Sequence, residues 1–328
     1  MTRNFLEVDD LSCDELEEVL ELASSPPERL AGRLSGKGVA LVFEKPSART
    51  RSSTELAVVA LGGHPVYVQG VEVGIDDRET AEDVAHTLAC YHAVICARVF
   101  DHDVLSRMTS ALAESDTAVP VVNLLSDEAH PCQALADLLT LRQAFGELGG
   151  RTIAYIGDAN NVWRSLSLAA AMAGVRVRTA SPYGYGPEPD DLERIVRLGG
   201  EVELLEDPTE AATGADALYT DVWTSMGQEE EAELRRKAFA GYTIDEELLD
   251  RAAPDAIVLH CLPAHRGEEI TSEVLEGPRS RVWQQATNRM HAMRGLLAWL
   301  VEELAHDPSL SGSTTDRTGR PGTPRSAQ

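Results

Sequence analysis

From Gly38 to His260 the chain alternates short apolar runs with amphipathic stretches, and that alternation confines it to one fold class. The apolar runs read as strands buried on both faces and the amphipathic stretches as the helices that connect them, which is the pattern of a doubly wound α/β fold with parallel sheets. In the first half, strands are expected at Val39 to Phe43, Val66 to Val68, Ala93 to Ala97 and Val119 to Asn123. Helices are expected at Thr50 to Ala60, Ala81 to Cys90, Leu105 to Ala113 and Gln133 to Phe145. The Gly-rich turn Gly146 to Arg151 interrupts the pattern, which restarts with a strand at Arg151 to Ile156, a helix at Val162 to Ala173 and a strand at Val175 to Ala180. It runs on to a strand at Ala256 to His260.

A length of 328 residues exceeds one usual domain. The expectation is therefore two doubly wound parallel-sheet domains, residues 1–146 and 150–287, with the ligand site in the cleft between them. A last periodic segment, Asn288 to Leu304, is long enough for a helix that crosses back and completes the first domain over residues 288–305. From Asp307 onward Ser, Thr, Gly, Pro and Arg dominate, so residues 307–328 read as a disordered tail.

Charge narrows the partners. The net charge of -25 repels nucleic acid phosphates, so any anion site must be a local inversion of the field. No stretch reaches the roughly 18 to 20 apolar residues of a membrane span, and Met1 to Phe5 leads into acidic residues rather than a signal-peptide core. A cytoplasmic protein that binds neither membrane nor nucleic acid is the expectation. The cysteines, Cys13, Cys90, Cys96, Cys132 and Cys261, form no Cys-x-x-Cys pair and suggest free thiols rather than a disulfide framework.

In open parallel sheets, ligands bind outside the carboxyl ends of the strands, so polar residues that follow apolar runs are the candidates. After Gly38 to Phe43 comes Lys45-Pro46-Ser47-Ala48-Arg49-Thr50-Arg51, where a helix starts. The unpaired N–H groups and positive dipole end of that first turn suit an anion, with Lys45, Ser47, Arg49, Thr50 and Arg51 as further donors. The same rule collects Arg98, His130-Pro131-Cys132-Gln133, Asp158-Ala159-Asn160-Asn161 and His260-Cys261-Leu262-Pro263. Taken singly, each has an ordinary reading: Ser47 and His130 as helix caps, a cysteine as a small core residue.

Taken together, Ser47-Ala48-Arg49-Thr50-Arg51, His130-Pro131-Cys132-Gln133, Asp221-Val222-Trp223-Thr224-Ser225-Met226-Gly227 and His260-Cys261-Leu262-Pro263 resemble the motifs of the aspartate/ornithine carbamoyltransferase family, in its order and from about Leu11 to Leu304. Ser225-Met226-Gly227 and Cys261 resemble its ornithine branch. The resemblance implies transfer of the carbamoyl group from carbamoyl phosphate to the side-chain amine of ornithine. It assigns the phosphate and carbamoyl group to Ser47, Ala48, Arg49, Thr50, Arg98, His130, Gln133, Cys261, Leu262 and Arg289, and the amino acid to Asn161, Asp221, Ser225 and Met226. Cys261, Arg98, His130 and Asp221 are the implied catalytic residues. A Cys261 thiolate with Asp221 nearby would accept the proton that the amine must lose. The chemistry requires no metal and no cofactor. The resemblance also implies ordered binding with cleft closure, and a homotrimer, or a multiple of trimers, with shared active sites.

Departures from the family pattern qualify these expectations. Ala48 replaces a hydroxyl residue but keeps its backbone N–H. The Gln69 to Glu79 loop carries Glu72 near the usual position of a phosphate ligand from the neighbouring subunit, so Arg78 is the expected replacement. Trp163 and Arg164 are bulkier than the ornithine branch suggests, and Arg164 could reshape the amino acid pocket. A related amine as acceptor (putrescine, lysine or N-acetylornithine) and a non-catalytic carbamoyl phosphate-binding paralogue are therefore the alternatives.

Overall fold

Two all-parallel sheets account for the alternation in the sequence. Strands β1 (Gly38–Phe43), β2 (His64–Gln69), β3 (His92–Arg98) and β4 (Val121–Leu125) form the first, in the order β2-β1-β3-β4. Strands β5 (Thr152–Ile156), β6 (Arg176–Ala180), β7 (Val202–Leu205), β8 (Ala217–Thr220) and β9 (Ile257–His260) form the second, in the order β7-β6-β5-β8-β9. The computed structural model describes residues 2–224 and 229–306, so Ser225, Met226 and the tail expected at 307–328 lie outside the described residues. Among the described residues no helix is long and apolar enough to cross a membrane.

The strand order matters because it makes two switch points, β1/β3 in the first sheet and β5/β8 in the second. At such a point the connections leave to opposite sides and open a crevice at the carboxyl ends. Register sets what lies there: Phe43, the last residue of β1, pairs with Arg98, the last residue of β3. The segments after β5 and β8 carry Asp158 to Asn161 and Asp221.

The Pro131–Phe145 helix joins the two sheets. It is buried on every face from Pro131 to Leu141, so it behaves as a central core element rather than an amphipathic surface helix. It packs on the Asn161–Met172 helix on one side and on the Val282–His306 helix on another. The Val282–His306 helix returns to the first half and lies against the Cys13–Ser24 and Ala48–Ala60 helices as well. Its approach to Cys13–Ser24 depends on Gly295, where an added Cβ would stand 2.6 Å from the Ala23 nitrogen and 2.7 Å from the Val19 oxygen.

Several element ends differ from the sequence reading. β2 extends to both sides of Val66–Val68 and includes Pro65, which an edge strand tolerates because one side of its backbone needs no partner. β4 begins after Pro120 and runs to Leu125. The C-terminal helix begins at Val282 rather than Asn288, which brings Gln285 into it. The Cys13–Ser24 helix lies before the alternation and has no counterpart in the sequence reading. Its start is a capping box in which Ser12 accepts from the Glu15 N–H and Glu15 from the Ser12 N–H.

The N-terminal segment clasps the two halves through Glu7. Its Oε1 accepts the Val8 N–H at 2.8 Å and its Oε2 accepts the Ser165 hydroxyl at 3.0 Å, while Ser165 Oγ accepts the His130 N–H at 2.8 Å. Burial dominates over these hydrogen bonds and over Arg194, and pushes the Glu7 carboxyl up to about 7. A carboxyl whose folded value is raised binds extra protons in the folded state, so this contribution is present at low pH and is lost as pH rises from 4.5 to about 7. Glu7→Gln removes the titration and keeps groups able to meet Val8 and Ser165. The stability difference should therefore move in the variant's favour by roughly 3 kcal/mol between about pH 4.5 and about pH 8. Urea unfolding of both proteins at those pH values checks it; a difference that does not change with pH would reject the assignment.

Candidate active site

The first cluster forms around the start of the Ala48–Ala60 helix. Ser47 is its N-cap, with Oγ accepting the Thr50 N–H at 3.4 Å, and Ala48 as its first residue has an N–H without an intrahelical acceptor. Thr50 Oγ1 in turn accepts from Arg289 Nη2 at 3.2 Å. Arg289 Nη1 bonds the Gln133 Oε1 and lies 3.4 Å from His130 Nε2. The Val282–His306 and Pro131–Phe145 helices thus deliver Arg289, His130 and Gln133 to the carboxyl end of β1, beside Arg98 at the end of β3.

Electrostatics mark this cluster as built for an anion. Burial first, then the Arg289 and Arg49 charges, lowers Arg98 to about 10, so it remains a cation at neutral pH under like-charge pressure. Burial, with Arg289, Arg98 and Arg49, holds the His130 imidazole well below its usual range and therefore neutral. Arg98 Nε and His130 Nδ1 are both buried without a hydrogen-bond partner among the described residues. Unpaired buried polar atoms cost free energy, so a pair of them beside converging guanidiniums calls for a polar anionic ligand. Arg49 is exposed and lines the mouth of an adjoining cleft of about 240 Å3 with Gln133, His260, Cys261, Arg289 and Met290.

Two of the basic residues collected from the sequence turn elsewhere. Arg51 stacks on Tyr67, 3.7 Å from the ring centroid, and pairs with Glu55 at 2.8 Å. Lys45 Nζ sits 4.2 Å over the Phe100 ring.

The second cluster gathers on Asp221, just past β8. Its Oδ1 accepts the Val222 N–H at 2.8 Å and the Cys261 thiol at 2.9 Å, and its Oδ2 accepts Asn160 Nδ2 at 2.8 Å. Burial first, then Asp221, pushes the Cys261 thiol well above its usual range. Beside a carboxylate this arrangement favours the thiol, which donates to Asp221 Oδ1, over the expected thiolate. Asn160 also caps the following helix, its Oδ1 accepting from Val162 and Trp163. It is the neighbour of the expected Asn161, whose Nδ2 instead donates to the Ser126 oxygen at 2.7 Å and ties that helix to the segment after β4.

Leu262 follows Cys261 in a left-handed backbone conformation with φ 60°, unusual for a residue with a Cβ. His260 holds this turn, accepting the Leu262 N–H on Nδ1 at 2.9 Å and meeting Glu269 Oε1 with Nε2 at 3.1 Å. The ligand atoms of Asp221, His260 and Cys261 lie within 4.8 Å of one another, a spacing that could hold a metal ion. Both ring nitrogens of His260 are committed, however, which removes it as a ligand and leaves Asp221 and Cys261 to polar chemistry.

Arg164 does not shape this cluster. Its guanidinium is engaged by Asp191 at 3.0 Å, Glu128 at 3.2 Å and Glu7 at 3.9 Å. Trp163 is fully buried and donates to Thr179 Oγ1 at 2.7 Å. Ser225 and Met226 fall outside the described residues, but the segment before them is anchored by Arg235, which bonds both the Trp223 oxygen and Asp158.

Sequence reasoning collected Asn160 with its neighbours but gave the ligand role to Asn161, and it missed Asp137 and Gln285. Asp137 carries a usable signal, since it stands one helical turn after Gln133 and shares its face. Gln285 carries none, because it precedes the segment whose periodicity is legible.

Residues 3–143 match the carbamoyl-P binding domain of the aspartate/ornithine carbamoyltransferase family, and residues 149–300 match its Asp/Orn binding domain. Over 309 residues the chain is 54% identical to ornithine carbamoyltransferase of Acidothermus cellulolyticus, covering 92% of this chain and 97% of that one. It is 48% identical over 315 residues to ornithine carbamoyltransferase of Parafrankia sp., covering 92% and 96%. The crystal structure of ornithine carbamoyltransferase from Thermus thermophilus superposes with a TM-score of 0.83 at 46% identity, over 92% of this chain and 99% of that one.

Proposed function

The chain belongs to the aspartate/ornithine carbamoyltransferase family, and from that premise we propose how its residues carry the reaction. It transfers the carbamoyl group of carbamoyl phosphate to the side-chain amine of ornithine, releasing citrulline and phosphate. The observation that carries the assignment of residues is the pair of buried, unpartnered atoms, Arg98 Nε and His130 Nδ1, among converging guanidiniums. In this reading residues 1–146 with 288–305 bind carbamoyl phosphate and residues 150–287 bind ornithine. Phosphate rests on the Ser47 to Thr50 turn, Arg98 and Arg289. Neutral His130, with Arg98 and Thr50, polarises the carbonyl and meets the oxyanion that forms as nitrogen attacks carbon. The C–O bond to phosphate then breaks, and the nitrogen gives up its second proton to the departing phosphate.

Asp221 faces the cationic groups of ornithine, with Asn161, Ser225 and Met226 as the remaining amino acid ligands, and Leu262 presents its backbone to the carbamoyl group. A free alkylamine titrates near about 10, so the attacking nitrogen must lose a proton first. The Asp221 carboxylate, with the Cys261 thiol bonded to it, is the acceptor we assign. An ammonium beside this pair adds positive charge to that of Arg289, which turns the electrostatics of Cys261 toward the thiolate. No cofactor enters the route, and the free cysteines fit a reducing cytoplasm. The product belongs to arginine metabolism.

Initial rates of citrulline formation test this reading, with ornithine beside putrescine, lysine and N-acetylornithine. Turnover with ornithine alone is expected; turnover only with another amine would overturn the acceptor, and none with any would overturn the activity.

A homotrimer with shared sites is part of the proposal, with the Gln69 to Glu79 loop reaching the neighbouring phosphate. Within the loop, the Glu72 carboxylate accepts the Gln69 N–H at 2.9 Å and so turns into its own short helix, and Arg78 Nη1 donates to the Glu72 backbone oxygen at 3.0 Å. That leaves Arg78 as the loop's phosphate donor. Loss of one charge-assisted contact predicts that Arg78→Ala raises the KM for carbamoyl phosphate about 10-fold or more. An unchanged KM would discard the role.

A further inference from the structure

Asp137 lies in the middle of the Pro131–Phe145 helix, fully buried, and contacts no face of the cleft directly. Its carboxylate nevertheless touches three elements. Oδ1 accepts from Gln133 Nε2 and from Gln285 Nε2, each at 2.7 Å, and Oδ2 accepts from the Tyr219 hydroxyl at 3.1 Å. Gln133 shares its helix, Gln285 stands on the Val282–His306 helix, and Tyr219 is on β8, two residues before Asp221.

A carboxylate only accepts, so it decides which end of each neighbouring amide points at it. With the nitrogen of Gln133 held by Asp137, its oxygen faces Arg289 and receives that guanidinium. Arg289 then reaches Thr50 and His130. With the nitrogen of Gln285 held by the same oxygen, its own oxygen accepts the His260 N–H at 2.9 Å and fixes the residue before Cys261. Gln285 Nε2 also lies 3.3 Å from the Tyr219 hydroxyl, closing the network.

We propose that Asp137 is a positioning residue for carbamoyl transfer: one buried oxygen orients Gln133 toward the phosphate cage and Gln285 toward the Cys261 turn, and so keeps the two halves of the site in register. The inference rests on the proposed function for the identity of the substrates. Burial outweighs the hydrogen bonds and Arg289 and raises the carboxyl to about 6, so it is ionised, and purely an acceptor, at neutral pH.

The test compares Asp137→Asn and Asp137→Ala with the wild type in steady-state kinetics over both substrates, alongside calorimetric titration with inorganic phosphate. An asparagine oxygen can still accept from both glutamines while its nitrogen donates to the Tyr219 oxygen. Asp137→Asn should therefore stay within about 3-fold of wild type in kcat and in the KM for carbamoyl phosphate. Asp137→Ala leaves both amides free to rotate, so it should raise that KM and lower kcat by about 10-fold or more each. A variant that loses only thermal stability, with both constants within about 3-fold, would reduce Asp137 to a core residue and overturn the proposal. Equal damage from Asn and Ala would also overturn it, since charge rather than orientation would then be at work.

If Asp137→Ala does not fold, the near-isosteric Gln133→Leu and Gln285→Leu decide the matter. The first should raise the KM for carbamoyl phosphate and the second lower kcat, and absence of that split counts against the network. The phosphate titration separates the two readings. A wild type without citrulline formation, whose phosphate affinity drops in Asp137→Ala and survives in Asp137→Asn, would fail the proposed function and keep the positioning role.

Discussion

Replacing Arg98 with methionine is expected to lower kcat/KM for carbamoyl phosphate about 1,000-fold or more while leaving the fold at least as stable as before. The side chain is 7% exposed, and its Nε lies buried without a partner among the described residues. Removing one preorganised donor to an oxyanion costs on the order of 100-fold to 1,000-fold, and a charge-assisted contact to phosphate adds about 1.5 to 3 kcal/mol. Both are lost together because Arg98 stands between the phosphate and the carbonyl in the proposed arrangement. Stability moves the other way, since the methionine ends the repulsion that Arg98 shares with Arg289 and Arg49. A lysine at this position keeps the charge and loses the planar fork, so its activity should fall between the two. Initial rates at varied carbamoyl phosphate, with thermal melts of the same samples, check all three points. A loss below about 10-fold in Arg98→Met would remove Arg98 from the cage.

Asp221→Asn is expected to be the second large effect, about 1,000-fold in kcat/KM for ornithine, because the change removes a carboxylate that faces an ammonium in the proposed arrangement and the acceptor bonded to Cys261. The asparagine must also turn a nitrogen toward the Asn160 amide or the Cys261 thiol, two donors that now meet carboxylate oxygens. The KM for carbamoyl phosphate should change far less, which separates a local effect from collapse of the site. A chemical readout accompanies the kinetics. Asp221 helps hold the Cys261 thiol above its usual range, so its loss should shift alkylation of Cys261 by iodoacetamide to lower pH. Peptide mapping is needed because Cys13 and Cys90 are exposed and also react. Unshifted alkylation would mean that burial alone controls the sulfur.

Much of the phosphate cage was legible because it obeys a local rule. Ser47, Arg49 and Thr50 follow an apolar run and start a helix, and Arg98 and His130 follow others, so a strand-end rule finds them one at a time. The contacts that make them a site are not local. Arg289 reaches Thr50 across 239 positions of sequence and His130 across 159. The same limit explains why Arg51 was expected as a further anion donor and Arg164 as a residue that could reshape the amino acid pocket, whereas Tyr67 and Glu55 hold the first, and Glu128, Asp191 and Glu7 the second. Asn160 and Asn161 show the limit at its smallest scale: adjacent positions at a helix start point to Asp221 and to Ser126, and only the path of the backbone decides which amide goes where.

By itself the sequence determined the two parallel sheets, the order of the motifs along them and the family to which they belong. Those depend on the period of apolar residues and on residue types at strand ends, which are properties of short stretches. Only the tertiary structure brings the Cys261 thiol onto Asp221, buries His130 among the charges of Arg289, Arg98 and Arg49, and gathers Gln133, Gln285 and Tyr219 on Asp137. A protonation state follows from burial and from charges brought near by distant parts of the chain, and a shared acceptor exists only once three elements have packed around it.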